Sequence, residues 1–224
     1  MEHQNLVYDK ELVNLKNDIL KMGGVVEELI FRAVESLKNR DKKMASDVIK
    51  QDAVVDQLEL DIDEQCINLI ALRQPKAGDL RFITTGMRIA TDLERIGDLA
   101  EDIAQRSLQL ADHGPLKPLI DIPKMTVLVL AVLKIVLDAF INEDTSQIKN
   151  IWNIEREVDG LRDLVHEELV LIMTKNPLSV SRAIPLLLIS RHLERISDHA
   201  TNIAEDVIYM VEAKIVKHSG RIKE

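Results

Sequence analysis

The sequence predicts an all-α protein built as two tandem three-helix bundles related by internal duplication. Three observations carry this. Leu, Ile, Val, Ala, Glu, Asp and Lys dominate the 224 residues, against only 8 Gly, 6 Pro and 3% aromatics, a balance that favours helices over sheets. Apolar residues recur at steps of three and four along nearly the whole chain, the period of one helix face. The phrase LERIGDLAEDIA, Leu93 to Ala104, returns as LERISDHATNIA, Leu193 to Ala204.

The elements follow in order. Helix one runs from about Glu11 to Lys38, and Asp41 in NRDKK caps a second helix reaching Arg73. RQPKAGD forces a turn; helix three starts near Asp79 and ends by HGP, His113 to Pro115. Helix four begins around Pro123 and ends in INEDT, where Asp144 is placed to cap helix five. KNPLS, from Lys175, closes helix five. Ser179 is the N-cap expected for helix six, which continues to about Lys217 with its early part bent by Pro185.

The repeat extends beyond one phrase. At an offset of 100 residues Glu94 and Asp98 fall on Glu194 and Asp198, and at an offset of 103 Asp52 and Asp56 fall on Glu155 and Asp159. The three-residue difference is absorbed in the turn between the second and third helices, a surface change that leaves a packed core alone. The first three-helix unit is therefore expected over 1–115, and the second, with a short C-terminal tail, over 116–224.

Composition excludes several classes. A formal net charge of -9 repels phosphate backbones, and no Lys/Arg cluster interleaved with aromatics offsets it, so nucleic acid is not an expected partner. The lone Cys66, among Ile62, Ile67 and Ile70, reads as a small buried apolar residue. MEHQNLVYDKELV lacks a positive segment followed by an apolar core, so the expectation is a cytoplasmic chain. The run TVLVLAVLKIVLDAFI, Thr126 to Ile141, is interrupted by Lys134 and Asp138 and is expected to be a buried helix rather than a span of about 20 residues. MGG, Met22 to Gly24, lies inside a helical pattern and is too short for a phosphate loop.

The acidic pairs are the candidate site. Asp52 with Asp56, Glu94 with Asp98, Glu155 with Asp159 and Glu194 with Asp198 share one spacing, and Asp102 continues the first-half column where Asn202 stands in the second. With 38 Asp and Glu in 224 residues, roughly six pairs four apart arise by chance, and most helical acids are solvated. Repetition at matched positions argues otherwise, because like charges at i and i+4 face each other and need compensation by a cation, a basic partner or solvent. Helix heights agree: Asp56 lies about 20 residues before the first turn and Glu94–Asp98 about 20 after it, so an antiparallel hairpin brings them level. Asp159 and Glu194–Asp198 are placed the same way around Pro177.

Carboxylates without thiolate or repeated imidazole suit hard ions, iron, Mn²⁺, Mg²⁺ or Ca²⁺, rather than structural zinc. Paired Glu-x-x-His motifs of di-iron oxidases are absent, and Asp163-x-x-His166 occurs once. His199 follows Asp198 whereas Leu99 follows Asp98, so it stands outside the repeated pattern. Arg95 and Arg195 repeat beside the acids and read as phosphate or partner contacts, or as intrachain partners of the carboxylates. A carboxylate-bridged metalloenzyme and an inert helical scaffold remain the alternatives to a binding protein.

ELVNLKNDILKMGGVVEE near the N-terminus, RQPKAGDLR, LERIGD and LERISD together resemble the PhoU family of phosphate-signalling proteins over essentially the whole chain. The resemblance implies two three-helix bundles whose repeated acidic motifs hold multinuclear metal clusters in some members. It further implies a cytoplasmic, non-enzymatic, homodimeric regulator that meets the membrane only through its partners. Those partners are the ATPase subunit of the phosphate ABC transporter and a sensor histidine kinase, restrained when phosphate is plentiful.

Overall fold

The computed structural model describes residues 2–216, with side chains from Val7 onward. Six long helices, α1 (Glu2–Asn39), α2 (Lys42–Arg73), α3 (Ala77–Leu110), α4 (Asp121–Asn142), α5 (Ile151–Lys175) and α6 (Val180–Glu212), are joined by short turns and two 3₁₀ segments. Among the described residues there is no strand. The helices α1, α2 and α3 pack on one another, as do α4, α5 and α6, which is the tandem arrangement the repeat predicts.

The apolar period explains the packing. Leu15, Ile19, Met22, Val26, Ile30, Ala33 and Leu37 of α1 are all buried, as are Ile89, Leu93, Ile96, Ala100 and Ile103 of α3 and their counterparts Ile189, Leu193, Ile196, Ala200 and Ile203 of α6. One continuous cluster of buried side chains spans both units, because α3 packs on α6 as extensively as on α2 and α1 also meets α4. The helices α2 and α5 are the outer ones, each packing chiefly within its own unit. The α3–α6 seam runs antiparallel through Arg88–Asp206 at 3.1 Å, Asp92–His199 at 2.8 Å and Asp102–His192 at 4.0 Å.

Boundaries depart from the sequence expectation where tertiary contacts intervene. Helix α1 begins at Glu2 rather than Glu11, and its first turns are tied to α3 by Tyr8, whose hydroxyl donates to Asp79. Burial, then the Asp79 hydrogen bond, pushes the Tyr8 phenol up to about 12. Asp41 caps α2 by accepting from the Met44 amide at 2.9 Å. Asp144 does not cap α5: its carboxylate accepts from the Ser146 amide and hydroxyl, closing a turn, and α5 starts only at Ile151. Ser179 does not cap α6 through its side chain either, since its hydroxyl donates back to Asn176, whose own side chain caps the 3₁₀ turn. The αL residue Ala213 follows α6, so that helix stops at Glu212; Lys217 lies outside the described residues.

Helix α4 corrects one expectation of length. Its 22 residues are long and apolar enough, by length and composition, to cross a membrane, yet half of its most apolar window is buried against α1, α5 and α6. Cys66 is fully buried, as expected. Gly23 marks the close approach of α1 to α4, where an added Cβ would fall 2.6 Å from Leu137 Cδ1, while Gly24 has no neighbour within 4 Å. Gly24→Ala should therefore stabilise the protein by about 1 kcal/mol through helix propensity, raising the melting temperature by about 2–4 °C. Gly23→Ala should gain less, because Leu137 must move; thermal denaturation of the two variants checks the difference.

Candidate metal centre

Helical rotation decides which acids meet. Residues four apart drift by about 40° around a helix, whereas residues seven apart return to within about 20°. A helix facing a neighbour therefore presents i, i+4 and i+7: Asp52, Asp56 and Glu59 on α2, and Glu94, Asp98 and Glu101 on α3. Oxygens of Asp52, Asp56 and Asp98 lie within 4.8 Å of one another, a separation one hard cation with oxygen ligands at about 2.0–2.6 Å can bridge. Asp56, Glu101, Asp98 and Glu94 all act electrostatically on Asp52, and Glu59 acts on Glu94.

Asp52 is the unusual member. It is 8% exposed, and its Oδ1 has no hydrogen-bond partner, which is costly for a buried carboxylate. Burial first, then the surrounding acids, pushes its pKa up to about 7. The site exists because α3 carries a glycine there. A Cβ on Gly97 would lie 3.1 Å from both Asp52 Oδ1 and Val55 Cγ1, so the missing side chain lets α2 seat Asp52 against the α3 backbone. Glu94 is half-buried, and burial followed by Asp98 raises it while Arg95 opposes. The Arg95 guanidinium lies 3.3 Å from both Glu94 and Asp98 but is more than half exposed, so its compensation is screened by water. The donor set, its crowding and the orphaned buried oxygen fit a hard divalent or trivalent ion.

Asp102 takes another direction. The four-residue drift turns it to the seam, where it lies 4.0 Å from His192 of α6. Glu59 and Glu101 are what the sequence reading missed, and the i+7 return was the available signal.

The second unit is assembled from the same positions with different chemistry. Glu155 and Asp159 of α5 and Glu194 and Asp198 of α6 are half-buried. Burial and then Asp198 raise the Glu194 carboxyl, against the pull of Arg162. Arg162 stands among these acids, donating to Glu194 at 2.6 Å, reaching Asp159 at 3.7 Å and pairing with Asp163 at 2.9 Å. It lines a groove of about 560 Å³ between α5 and α6 together with His166, Arg191 and Arg195. His199 pairs with Asp92 across the seam, outside the acidic stripe.

The class so defined is a duplicated, all-helical carboxylate-site protein whose two units share one core. The PhoU domain family matches residues 19–107 and 122–207. Over 215 residues the chain is 42% identical to the phosphate-specific transport system accessory protein PhoU homolog of Aquifex aeolicus, covering 96% of this chain and 97% of that protein. The corresponding Pseudomonas aeruginosa protein is 36% identical over 225 residues, 99% of this chain and 93% of its own length. The crystal structure of PhoU from Pseudomonas aeruginosa superposes with a TM-score of 0.89 at 36% identity, covering 92% of this chain and all of that one. The phosphate transport system regulatory protein PhoU from Streptococcus pneumoniae gives 0.87 at 31% identity, over 93% and 99% of the two chains. The chain belongs to the PhoU family.

Proposed function

We propose that this chain is a non-enzymatic accessory regulator of phosphate uptake and phosphate-starvation signalling. It acts by binding the ATPase subunit of a phosphate ABC transporter and a sensor histidine kinase, as a homodimer at the cytoplasmic face of the membrane. The observation that carries this reading is similarity along nearly its full length to accessory proteins of phosphate-specific transport systems. A regulator that does no chemistry shifts a partner's equilibrium only by preferring one of its states. The purified chain should therefore bind the transporter ATPase with affinities that differ between its nucleotide states, and kinase output should fall when the chain is added. Equal affinity in every state together with unchanged kinase output would remove the reading.

The same proposal places a hard cation, iron, Mn²⁺ or Mg²⁺, on the α2–α3 carboxylates, with Asp52, Asp56 and Asp98 as its first ligands and Glu94 beside them. An orphaned, buried Asp52 oxygen among like charges supports this. A bound cation would neutralise the cluster and fix the spacing of two helices that share their core with the other unit.

A further inference from the structure

The two acidic sites were made alike by duplication, and what fills each is decided by the positions where they have diverged. On the outer helix Asp52, Asp56 and Glu59 answer to Glu155, Asp159 and Arg162; on the inner helix Glu94, Asp98 and Glu101 answer to Glu194, Asp198 and Thr201. Six carboxylates in the first unit thus become four carboxylates and one guanidinium in the second. Two other groove positions change in the same sense, Asp63 to His166 and Thr91 to Arg191, while Leu60 becomes Asp163, which itself pairs with Arg162 at 2.9 Å.

We infer that the second site carries its own cation: the Arg162 guanidinium occupies the place a metal takes in the first unit, so that only the α2–α3 site loads metal. This rests on the cation reading of the first site. Arg162 meets the geometric requirement, since it bonds Glu194 at 2.6 Å and approaches Asp159 at 3.7 Å, one acid from each helix of the hairpin. A guanidinium held by carboxylates on two helices does the electrostatic work of a metal bridge, with a charge that is present at every physiological pH. It also excludes the metal, because an incoming ion would meet a fixed positive charge and would have to break charge-assisted hydrogen bonds. The first unit contrasts at the same place: Glu59 adds a further negative charge that acts on Glu94, and Arg95, the nearest cation, is largely in water. The consequence is a functional asymmetry. The first hairpin tightens or loosens with metal supply, and the second is braced permanently.

Exchanging the two residues tests this. After loading with Mn²⁺ and desalting, Arg162→Glu should bind about twice the metal of the unaltered chain, and Glu59→Arg close to none, with circular dichroism verifying the fold of each. The double exchange should restore the original content while transferring its sensitivity from Asp56→Asn to Asp159→Asn. The inference is overturned when Asp159→Asn or Glu194→Gln halves the metal content of the otherwise unaltered chain, or when folded Arg162→Glu and Arg162→Gln gain none. If the unaltered chain takes up no Mn²⁺, Mg²⁺ or iron, the cation reading of the first site fails, and melting in chelator decides the role of Arg162. Arg162→Gln should then lower the melting temperature while Glu59→Gln raises it, because one removes a cation from carboxylates and the other removes a like charge. An unchanged melting temperature in Arg162→Gln would overturn the inference in that case as well.

Discussion

Asp52→Asn should raise the melting temperature of the metal-free protein at pH 8 and shrink the further rise that metal produces. Both effects come from one buried oxygen. In the metal-free fold the Asp52 carboxyl is raised from 3.8 to about 7, first by burial and then by Asp56, Glu101, Asp98 and Glu94. Between about pH 4 and pH 7 the folded chain therefore holds a proton that the unfolded chain has released, and stability falls as pH rises through that window. Below it both states are protonated and Asp52 exacts no penalty; above it the loss is complete. A shift of this size is worth roughly 4 kcal/mol.

Asparagine removes the charge and adds an N–H₂ that can donate hydrogen bonds to the neighbouring carboxylates. At pH 8 and in chelator the variant should melt on the order of 8–16 °C higher, since a chain of this length moves about 2–4 °C per kcal/mol. Its stability should also lose the decline between about pH 4 and pH 7. With metal at about 100 times its dissociation constant the unaltered chain gains about 2.7 kcal/mol by mass action, and the variant, missing a charged ligand, gains less. Melting curves at several pH values, with and without Mn²⁺, read both effects. A metal-induced rise as large in the variant as in the unaltered chain would mean that Asp52 is not a ligand.

Much of the fold was legible because it rests on features that survive local error. The 3.6-residue period through Leu15, Ile19, Met22 and Val26 and its repetition in α3 and α6 fix helices whichever residues end them. The stops were harder to read. Arg40, Gln74, Glu143 and Ala213 all adopt positive φ near 50–56°, where glycine is the usual signal. Asp144 and Ser179 carry the residue types of helix caps but satisfy nearby turns, a choice made by three-dimensional proximity. The candidate site was legible as four acidic pairs, while its composition was not. Pairing at i+4 led to Asp102, which rotates to His192; the i+7 return reaches Glu101 and Glu59. Arg162 was hidden for a related reason: a basic residue three positions after Asp159 reads as an ordinary i,i+3 partner until the hairpin brings Glu194 to it.

Gly97 is the position where fold and site can be separated. Its Cα faces α2 so closely that a methyl group would sit 3.1 Å from Asp52 Oδ1 and from Val55 Cγ1, and 3.5 Å from Val55 Cβ. In Gly97→Ala two effects of similar size oppose each other. Alanine favours the helix by about 1 kcal/mol, while Asp52 and Val55 must each yield by a few tenths of an ångström. Stability should change by less than about 1 kcal/mol, yet metal affinity should fall at least about tenfold, because a ligand displaced by a fraction of an ångström loses its geometry. Gly97→Val adds two methyl groups to the same gap. Overpacking of that kind costs about 1–3 kcal/mol, so this variant should melt several degrees lower and bind no metal. The second unit supplies the control. Ser197 occupies the matching place with a buried hydroxyl that has no partner, so Ser197→Ala should leave metal content unchanged and stability level or slightly higher. Titration with Mn²⁺ alongside thermal melting of the three variants reads these outcomes. If Gly97→Ala keeps full metal affinity while Ser197→Ala loses it, the cation belongs to the second hairpin, and the α2–α3 carboxylates are a solvated acidic face.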